Sequence, residues 1–130
     1  MSEKNFDEWN IIKKEVEKSN RAPVKVGEIY WCKLGLNVGV EQDGKDREFM
    51  RPVLIIKKFS HQIVLVTPLT TKPHRGDWYF DLTNFDFPSQ AILNQTRPID
   101  TKRLLSSMGQ ISDSQLGHIL EAYCKLIKHP

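Results

Sequence analysis

Residues 39–56 read Gly39-Val-Glu-Gln-Asp-Gly-Lys-Asp-Arg-Glu-Phe-Met-Arg51-Pro-Val-Leu-Ile-Ile56, so that a charged, glycine-containing loop leads directly into an apolar run. A second apolar run then returns through Thr67-Pro68-Leu69 to Thr70. The two runs are too short for typical helices and too apolar for loops, which predicts a pair of buried strands. A polar loop held by such strands is a candidate functional site.

The composition indicates a single globular domain. A chain of 130 residues can bury one core and is too short to divide easily into two. No run approaches the roughly 18 apolar residues of a membrane span, and the first residues lack the pattern of a signal peptide. We therefore expect a cytoplasmic protein that does not contact a membrane. The net charge of +3 permits an acidic partner but does not require one.

The two cysteines, Cys32 and Cys124, lie far apart in the sequence and show no spacing typical of a metal site. In a reducing compartment a disulfide between them is not expected. We interpret both as structural residues.

Apolar residues recur at helical spacing over residues 3–19, which predicts an amphipathic helix followed by a short linker to Pro23. Residues Val24 to Leu34 are rich in β-branched and aromatic side chains and predict a first strand. Further strands are predicted at Pro52 to Lys58 and Gln62 to Pro68, joined by a tight turn, so that the three form a meander.

The second half of the chain predicts shorter elements. Strands are expected at 78–82, 89–96 and 104–111, with a polar loop over 70–76, a turn over 83–88 and a basic turn or short helix over 97–103. Ser112 begins an amphipathic helix, and Gln115 three residues later completes a capping box.

Several short strands closed by a helix are typical of a small, strongly curved sheet or barrel. We therefore predict a mainly β (α+β) fold: a small barrel of short antiparallel strands with a C-terminal amphipathic helix and an extra N-terminal helix. Residues 1–23 form the N-terminal helical extension and linker, and residues 24–130 form the barrel domain.

Four blocks of sequence follow one another in order: Val26-Gly27-Glu28-Ile29-Tyr30-Trp31, then Gly39-Val40-Glu41-Gln42 with Arg51-Pro52-Val53-Leu54-Ile55-Ile56, then Thr70, then the segment from Ala91 to Leu104. Together they resemble the MazF/PemK family of toxin endoribonucleases from type II toxin–antitoxin pairs. The resemblance implies an SH3-like barrel that dimerises. It also implies sequence-selective cleavage of single-stranded RNA without a metal or other cofactor. The segment from Asp43 to Met50 is longer than in many relatives, which implies a reshaped loop.

The resemblance assigns Arg51 and Thr70 to catalysis. Cleavage by attack of the 2′-hydroxyl on the adjacent phosphate requires a proton acceptor, a proton donor and cationic stabilisation. Arg51 suits the last role, because its planar guanidinium can donate two parallel hydrogen bonds to phosphate oxygens. Thr70 matches the family's active-site threonine, with Thr67 and Thr71 as neighbouring alternatives. A structural reading stays open, in which Arg51 pairs with Glu41, Asp43 or Glu48 and Thr70 bonds a turn.

Glu41 and His74 are the two candidates for the proton acceptor, and we rank Glu41 first because it belongs to the matching Glu-Gln pair. Gln42, Lys72, Gln95 and Arg97 are the candidate RNA-binding residues. Glutamine can read a base edge, while lysine and arginine bind phosphate. Gln95 and Arg97 are expected on the strand that lines the family's RNA groove.

The resemblance further implies a cognate antitoxin protein, a homodimer, and contact with DNA only indirectly through the antitoxin complex. The alternative function is a non-catalytic, protein-binding toxin of the CcdB type, which acts on gyrase, or a degenerate RNA-binding module.

Overall fold

The computed structural model describes residues 4–44, 49–83 and 89–129. The helices are α1 (Phe6–Glu17) and α2 (Asp113–Lys128). The strands are β1 (Glu28–Lys33), β2 (Met50–Lys58), β3 (Ile63–Thr70), β4 (Tyr79–Leu82), β5 (Ser89–Ile92), β6 (Arg97–Asp100) and β7 (Leu104–Gln110). Short 3-10 turns occupy Leu93–Gln95 and Thr101–Arg103.

All strand pairs are antiparallel, and the sheet order is β4-β5-β3-β2-β1-β7, with β6 paired to β3 beside this path. The predicted meander is confirmed, because β1, β2 and β3 are neighbours in that order. The mainly β fold class is also confirmed. Among the described residues β4 and β7 do not pair, so the strands form a sheet rather than a fully closed barrel.

The apolar run of β2 is explained by burial on both faces of the sheet. Val53 and Ile55 belong to one core cluster, whereas Leu54 and Ile56 belong to the other. The second cluster also contains Ile119 of α2, which is fully buried. Burial of each such side chain stabilises the folded state by about 2 kcal/mol. The continuous apolar sequence therefore places β2, and the Arg51 it carries, in a rigid part of the molecule.

The N-terminal helix is confirmed and lies against the sheet domain. Trp9 is buried, and its ring lies 5.6 Å from that of Phe49. Gly35 permits this packing, because a Cβ there would lie 2.1 Å from the Trp9 ring and its φ is +81°. In the linker after α1, Arg21 forms a bidentate ion pair with Asp100, in which Nε and Nη2 donate to the two carboxylate oxygens at 3.2 and 2.9 Å.

Two of the predicted elements are wrong in part. The strand expected over 89–96 ends at Ile92, because the Leu93 main-chain oxygen accepts both the Thr96 main-chain N–H, at 3.2 Å, and the Thr96 hydroxyl, at 2.8 Å, which closes a turn. Leu93–Gln95 turn instead, so Gln95 is not on a strand. The segment 97–103, expected as a basic turn or short helix, begins as strand β6 and turns only at Thr101–Arg103.

Helix α2 begins as predicted at its N-cap Ser112, whose side chain accepts a hydrogen bond from the Gln115 main-chain N–H at 3.1 Å. The second half of the expected capping box is wrong. The Gln115 side chain instead bonds the main-chain N–H and oxygen of Thr83, at 2.7 and 2.9 Å. Gln115 thus ties the helix to the end of β4.

Residues 45–48 of the predicted loop, and residues 84–88 of the turn predicted over 83–88, lie outside the described residues. Within the described part of the chain, neither helix is long and apolar enough to cross a membrane.

Candidate active site

The loop that precedes β2 is closed by its own polar groups. The Asp43 carboxylate accepts the Asn37 main-chain N–H at 2.6 Å, and the Asn37 side-chain amide donates to the Gln42 main-chain oxygen at 2.8 Å. At the base of the loop, the Gly44 N–H donates to the Gly35 oxygen at 2.7 Å. A Cβ at Gly44 would lie 1.8 Å from the Phe49 oxygen, so only glycine fits. These bonds hold residues 37–44 in one arrangement beside Arg51.

Arg51 lies on β2 with 6% of its surface exposed. Its Nε donates to the Asp43 main-chain oxygen at 2.7 Å, and its Nη1 donates to the Leu69 oxygen at 3.0 Å. Burial lowers the pKa of Arg51 and the negative charge of Asp43 opposes that shift. An arginine keeps its proton at neutral pH even so. The site therefore contains a fixed, buried positive charge.

The Gln42 side chain faces this guanidinium. In the orientation that satisfies both groups, its amide oxygen lies 3.1 Å from Nε and 2.6 Å from Nη2 of Arg51. The Gln42 oxygen therefore lies at the Nε–Nη2 edge of the guanidinium, where Nη2 is the nearer donor and the single Nε–H also donates to the Asp43 main-chain oxygen.

Thr70 ends β3 directly after Leu69, whose main-chain oxygen Arg51 contacts, so the two predicted catalytic residues lie close together. Thr70 is 7% exposed. Its Oγ1 accepts the Lys72 main-chain N–H at 3.2 Å, the turn-stabilising bond that the structural reading expects. Because the oxygen is the acceptor in that bond, the hydroxyl proton can still be donated.

The neighbouring threonines differ from Thr70. Thr67 is fully buried and donates to the Ile92 main-chain oxygen at 3.0 Å, a bond inside the protein. Thr71 is exposed at the start of the following loop.

A cleft of about 460 Å³ lies beside the loop and brings together four predicted site residues, Glu41, Gln42, Gln95 and Arg97. The Gln95 side-chain oxygen accepts the Gln42 main-chain N–H at 3.0 Å. The Arg97 Nη1 donates to the Asn37 side-chain oxygen at 3.3 Å. The remaining lining residues are Leu34, Asn37, Pro68, Asn94 and Thr96.

The two candidate bases lie in different surroundings. The Glu41 carboxylate lines the cleft and accepts the Val38 main-chain N–H at 2.9 Å. His74 is exposed outside the cleft lining, and its ring stacks on Tyr79 with centroids 4.7 Å apart. Lys72 is likewise exposed and outside the cleft lining. The cleft therefore groups Glu41 with Gln42, Gln95 and Arg97, whereas Arg51, Thr70, Lys72 and His74 are outside its lining.

Residue-by-residue inspection of the sequence missed Asn37 and Lys4. Asn37 bonds both Arg97 and the Gln42 main chain, and Lys4 pairs with the Asp43 carboxylate at 2.9 Å. A lysine before the first helix and an asparagine in a loop carry no local signal of such contacts. The structural reading expects Asp43 as an ion-pair partner of Arg51, but the Asp43 main-chain oxygen, and not its carboxylate, accepts the hydrogen bond from Nε.

The described residues offer neither a reactive cysteine at Cys32 nor a cluster of metal ligands. Burial raises the pKa of the Cys32 thiol to about 12, although Arg103 and Arg97 oppose that shift. Cys32 is therefore a thiol at neutral pH and a poor nucleophile. Within residues 4–44, 49–83 and 89–129, no group of three or more His, Cys, Asp or Glu residues is arranged to hold a metal ion.

Residues 25–127 match the family model of the PemK-like, MazF-like toxin of type II toxin–antitoxin systems. Helix α1 lies outside this span. No curated protein sequence matches the chain.

Solved structures of similar fold include MazF from Deinococcus radiodurans, with a TM-score of 0.67 and 15% identity, over 82% of this chain and 98% of that one. A mycobacterial endoribonuclease, solved with its cognate antitoxin, has a TM-score of 0.63 and 17% identity, over 84% and 98% of the two chains. The Mycobacterium tuberculosis toxin MazF-mt6 has a TM-score of 0.60 and 20% identity, over 78% and 96%.

These identities support the fold, and the family model covers most of the chain. The chain therefore belongs to the PemK-like, MazF-like toxins of type II toxin–antitoxin systems, a family whose members are generally endoribonucleases.

Proposed function

We propose that this protein is a toxin that cleaves single-stranded RNA at selected sequences by attack of the 2′-hydroxyl on the adjacent phosphate. The observation that carries the proposal is that the buried Arg51 guanidinium contacts the main-chain oxygen of Leu69, the residue before Thr70. Gln42 contacts the same guanidinium and also lines the polar cleft. We further propose residues 24–130 as the toxin domain and residues 1–23 as its N-terminal extension and linker.

In the proposed reaction, the 2′-oxygen forms a bond to phosphorus while the bond from phosphorus to the 5′-oxygen breaks. The products are a 2′,3′-cyclic phosphate and a 5′-hydroxyl end. One proton leaves the 2′-oxygen to a base, and another reaches the departing 5′-oxygen. Negative charge grows on the phosphate oxygens, where Arg51 stabilises it.

The Nη2 group of Arg51 binds the phosphate once the Gln42 oxygen moves aside, while Nε keeps its bond to the Asp43 main-chain oxygen. The exchange is favourable because the phosphate is negatively charged and the amide is neutral. The Thr70 hydroxyl donates to the same phosphate. Glu41 is the first candidate for the base, because its carboxylate lines the cleft beside Gln42, and His74 is the second.

Gln42, Gln95 and Arg97 form the proposed RNA-binding wall of the cleft, with Lys72 as a phosphate contact on the following loop. Once displaced from Arg51, the Gln42 amide can read a base edge in unstacked RNA. The Gln95 oxygen is held by the Gln42 main chain, which leaves its NH₂ group to donate.

The proposed partners are single-stranded mRNA, a cognate antitoxin protein and a second copy of the chain in a homodimer. The mycobacterial endoribonuclease solved with its cognate antitoxin supports the antitoxin assignment. DNA would be contacted only through the antitoxin complex, and the site of action is the cytoplasm.

The test is cleavage of a mixed-sequence single-stranded RNA by purified protein in the presence of a chelator. Wild-type protein should cleave the RNA. Arg51→Lys keeps the positive charge but loses the planar guanidinium and its several N–H donors, so it should cleave about 10²–10³-fold more slowly. Arg75→Lys on an exposed loop is the matched control. Failure of folded wild-type protein to cut varied RNAs would refute the proposal, and recovery of gyrase in a pull-down would favour the protein-binding alternative.

A further inference from the structure

Lys4, which lies just before α1, contacts the loop beside Arg51 with its side-chain nitrogen. Its Nζ lies 2.9 Å from the Asp43 carboxylate and 3.1 Å from the Gly39 main-chain oxygen, and it also donates to the Asn37 main-chain oxygen. A lysine ammonium has three N–H donors, so these three acceptors satisfy it. Its side chain is 27% exposed, so solvent screens these contacts only in part.

Two of the acceptors connect Lys4 to the arginines of the site. Asp43 uses its carboxylate for Lys4 and its main-chain oxygen for the Nε of Arg51. Asn37 uses its main-chain oxygen for Lys4 and its side-chain oxygen for the Nη1 of Arg97. Each arginine is thus separated from Lys4 by a single loop residue.

Helix α1 keeps Lys4 in this place. The Asn5 side chain caps the helix by accepting the Glu8 main-chain N–H at 3.0 Å. One turn later the buried Trp9 packs on Gly35, with the Arg103 guanidinium 5.8 Å from its ring centroid. At the far end of the helix, the Lys102 Nζ donates to the Glu17 main-chain oxygen at 2.8 Å. The position of Lys4 is therefore set by packing and not by its own ion pair alone.

We propose that Lys4 is a positioning residue of the RNA-cleaving site, acting through Asp43 to hold the guanidinium of Arg51 in its productive orientation. This inference rests on the proposed function. It assigns the N-terminal helix, which lies outside the family span of residues 25–127, a part in the chemistry.

The test compares Lys4→Ala, Lys4→Arg and Lys14→Ala. Lys14 is exposed on α1, the helix that follows Lys4, so its replacement removes the same charge without touching the loop. Cleavage of one RNA gives kcat and KM, and hydrogen exchange gives the protection of the Asn37 and Gln42 main-chain N–H groups, which both donate to side-chain oxygens of the site.

We expect Lys4→Ala to lower kcat about tenfold with little change in KM, because Arg51 acts on the transition state and a small misplacement is sufficient. Exchange at Asn37 should become faster. Lys4→Arg should restore much of kcat, and Lys14→Ala should resemble wild type in both measurements.

Three results would overturn the inference. Unchanged exchange in Lys4→Ala would mean that the contact does not hold the loop. Faster exchange with unchanged or higher kcat would mean that the loop is held but that its position does not serve catalysis. A wild-type protein that cuts no RNA would refute the proposed function, and the positioning role with it, whatever the exchange data show.

Discussion

Replacement of Thr70 by valine and by serine separates the two roles of this side chain. Thr70→Val keeps the shape and loses the hydroxyl, whose oxygen accepts the Lys72 N–H at 3.2 Å. Loss of one such hydrogen bond costs about 1 kcal/mol. Thr70→Ser keeps the hydroxyl and loses one buried methyl group, which costs about 0.8 kcal/mol. For a domain of this size either loss lowers the melting temperature by about 4 °C.

The two variants should therefore be nearly equal in stability and unequal in activity. Without a hydroxyl near the scissile phosphate, Thr70→Val should cleave RNA about a hundredfold more slowly than Thr70→Ser. The assay is single-turnover cleavage of one RNA with saturating protein, after circular dichroism has shown equal folded fractions. Equal cleavage rates in the two variants would show that the hydroxyl does not act in cleavage, and would leave Thr70 with only its bond to the turn.

Three further substitutions test other contacts. Gln42→Glu places a carboxylate beside the Arg51 guanidinium, which should raise the free energy of unfolding by about 1 kcal/mol. The same carboxylate should compete with phosphate for Arg51 and slow cleavage, so cleavage as fast as in wild type would contradict phosphate binding by Arg51. Gly35→Ala places a Cβ 2.1 Å from the Trp9 ring at a φ of +81°, which should cost at least about 2 kcal/mol in urea unfolding, and an unchanged midpoint would contradict the packing. Asp100→Asn should cost no more than about 0.5 kcal/mol at pH 6, because the carboxylate is 39% exposed. Burial would raise the pKa of Asp100, but hydrogen bonds from the Arg21 guanidinium and the Lys102 main-chain N–H, together with the positive charges of both side chains, hold it below 3.8. The difference in stability from wild type should therefore vanish as the pH falls through that lowered pKa, and a difference that persists in acid would contradict the ion pair.

Features that depend on local sequence could be predicted from it. The apolar run of β2 indicates burial on both faces, and Ser112 marks the start of α2 by its own side chain. The step from Arg51 into that strand, and the return of the hairpin to Thr70, follow from the same pattern. These residues are neighbours because the meander pairs adjacent strands.

Features that depend on contacts distant in sequence could not be predicted. Gln95 lies in a turn whose first residue, Leu93, donates its main-chain N–H to the Trp78 oxygen at 2.6 Å, a contact between residues distant in sequence. The Gln42 side chain contacts Arg51, and Lys4 contacts a loop more than 30 residues away. Glutamine and lysine side chains are long and flexible, so the contacts that they form depend on the tertiary structure and not on the neighbouring sequence.

We propose that the protein cleaves RNA by 2′-hydroxyl attack at the Arg51–Thr70 site, which requires the 2′-hydroxyl at the cleaved bond. One cleavage site is mapped in a chelator-containing reaction, and the single 2′-hydroxyl at that site is then replaced by hydrogen. We predict that the unmodified RNA gives a 2′,3′-cyclic phosphate and a 5′-hydroxyl end by mass spectrometry, and that the modified RNA stays intact at that position. Cleavage of the modified RNA at the same bond would contradict the claim.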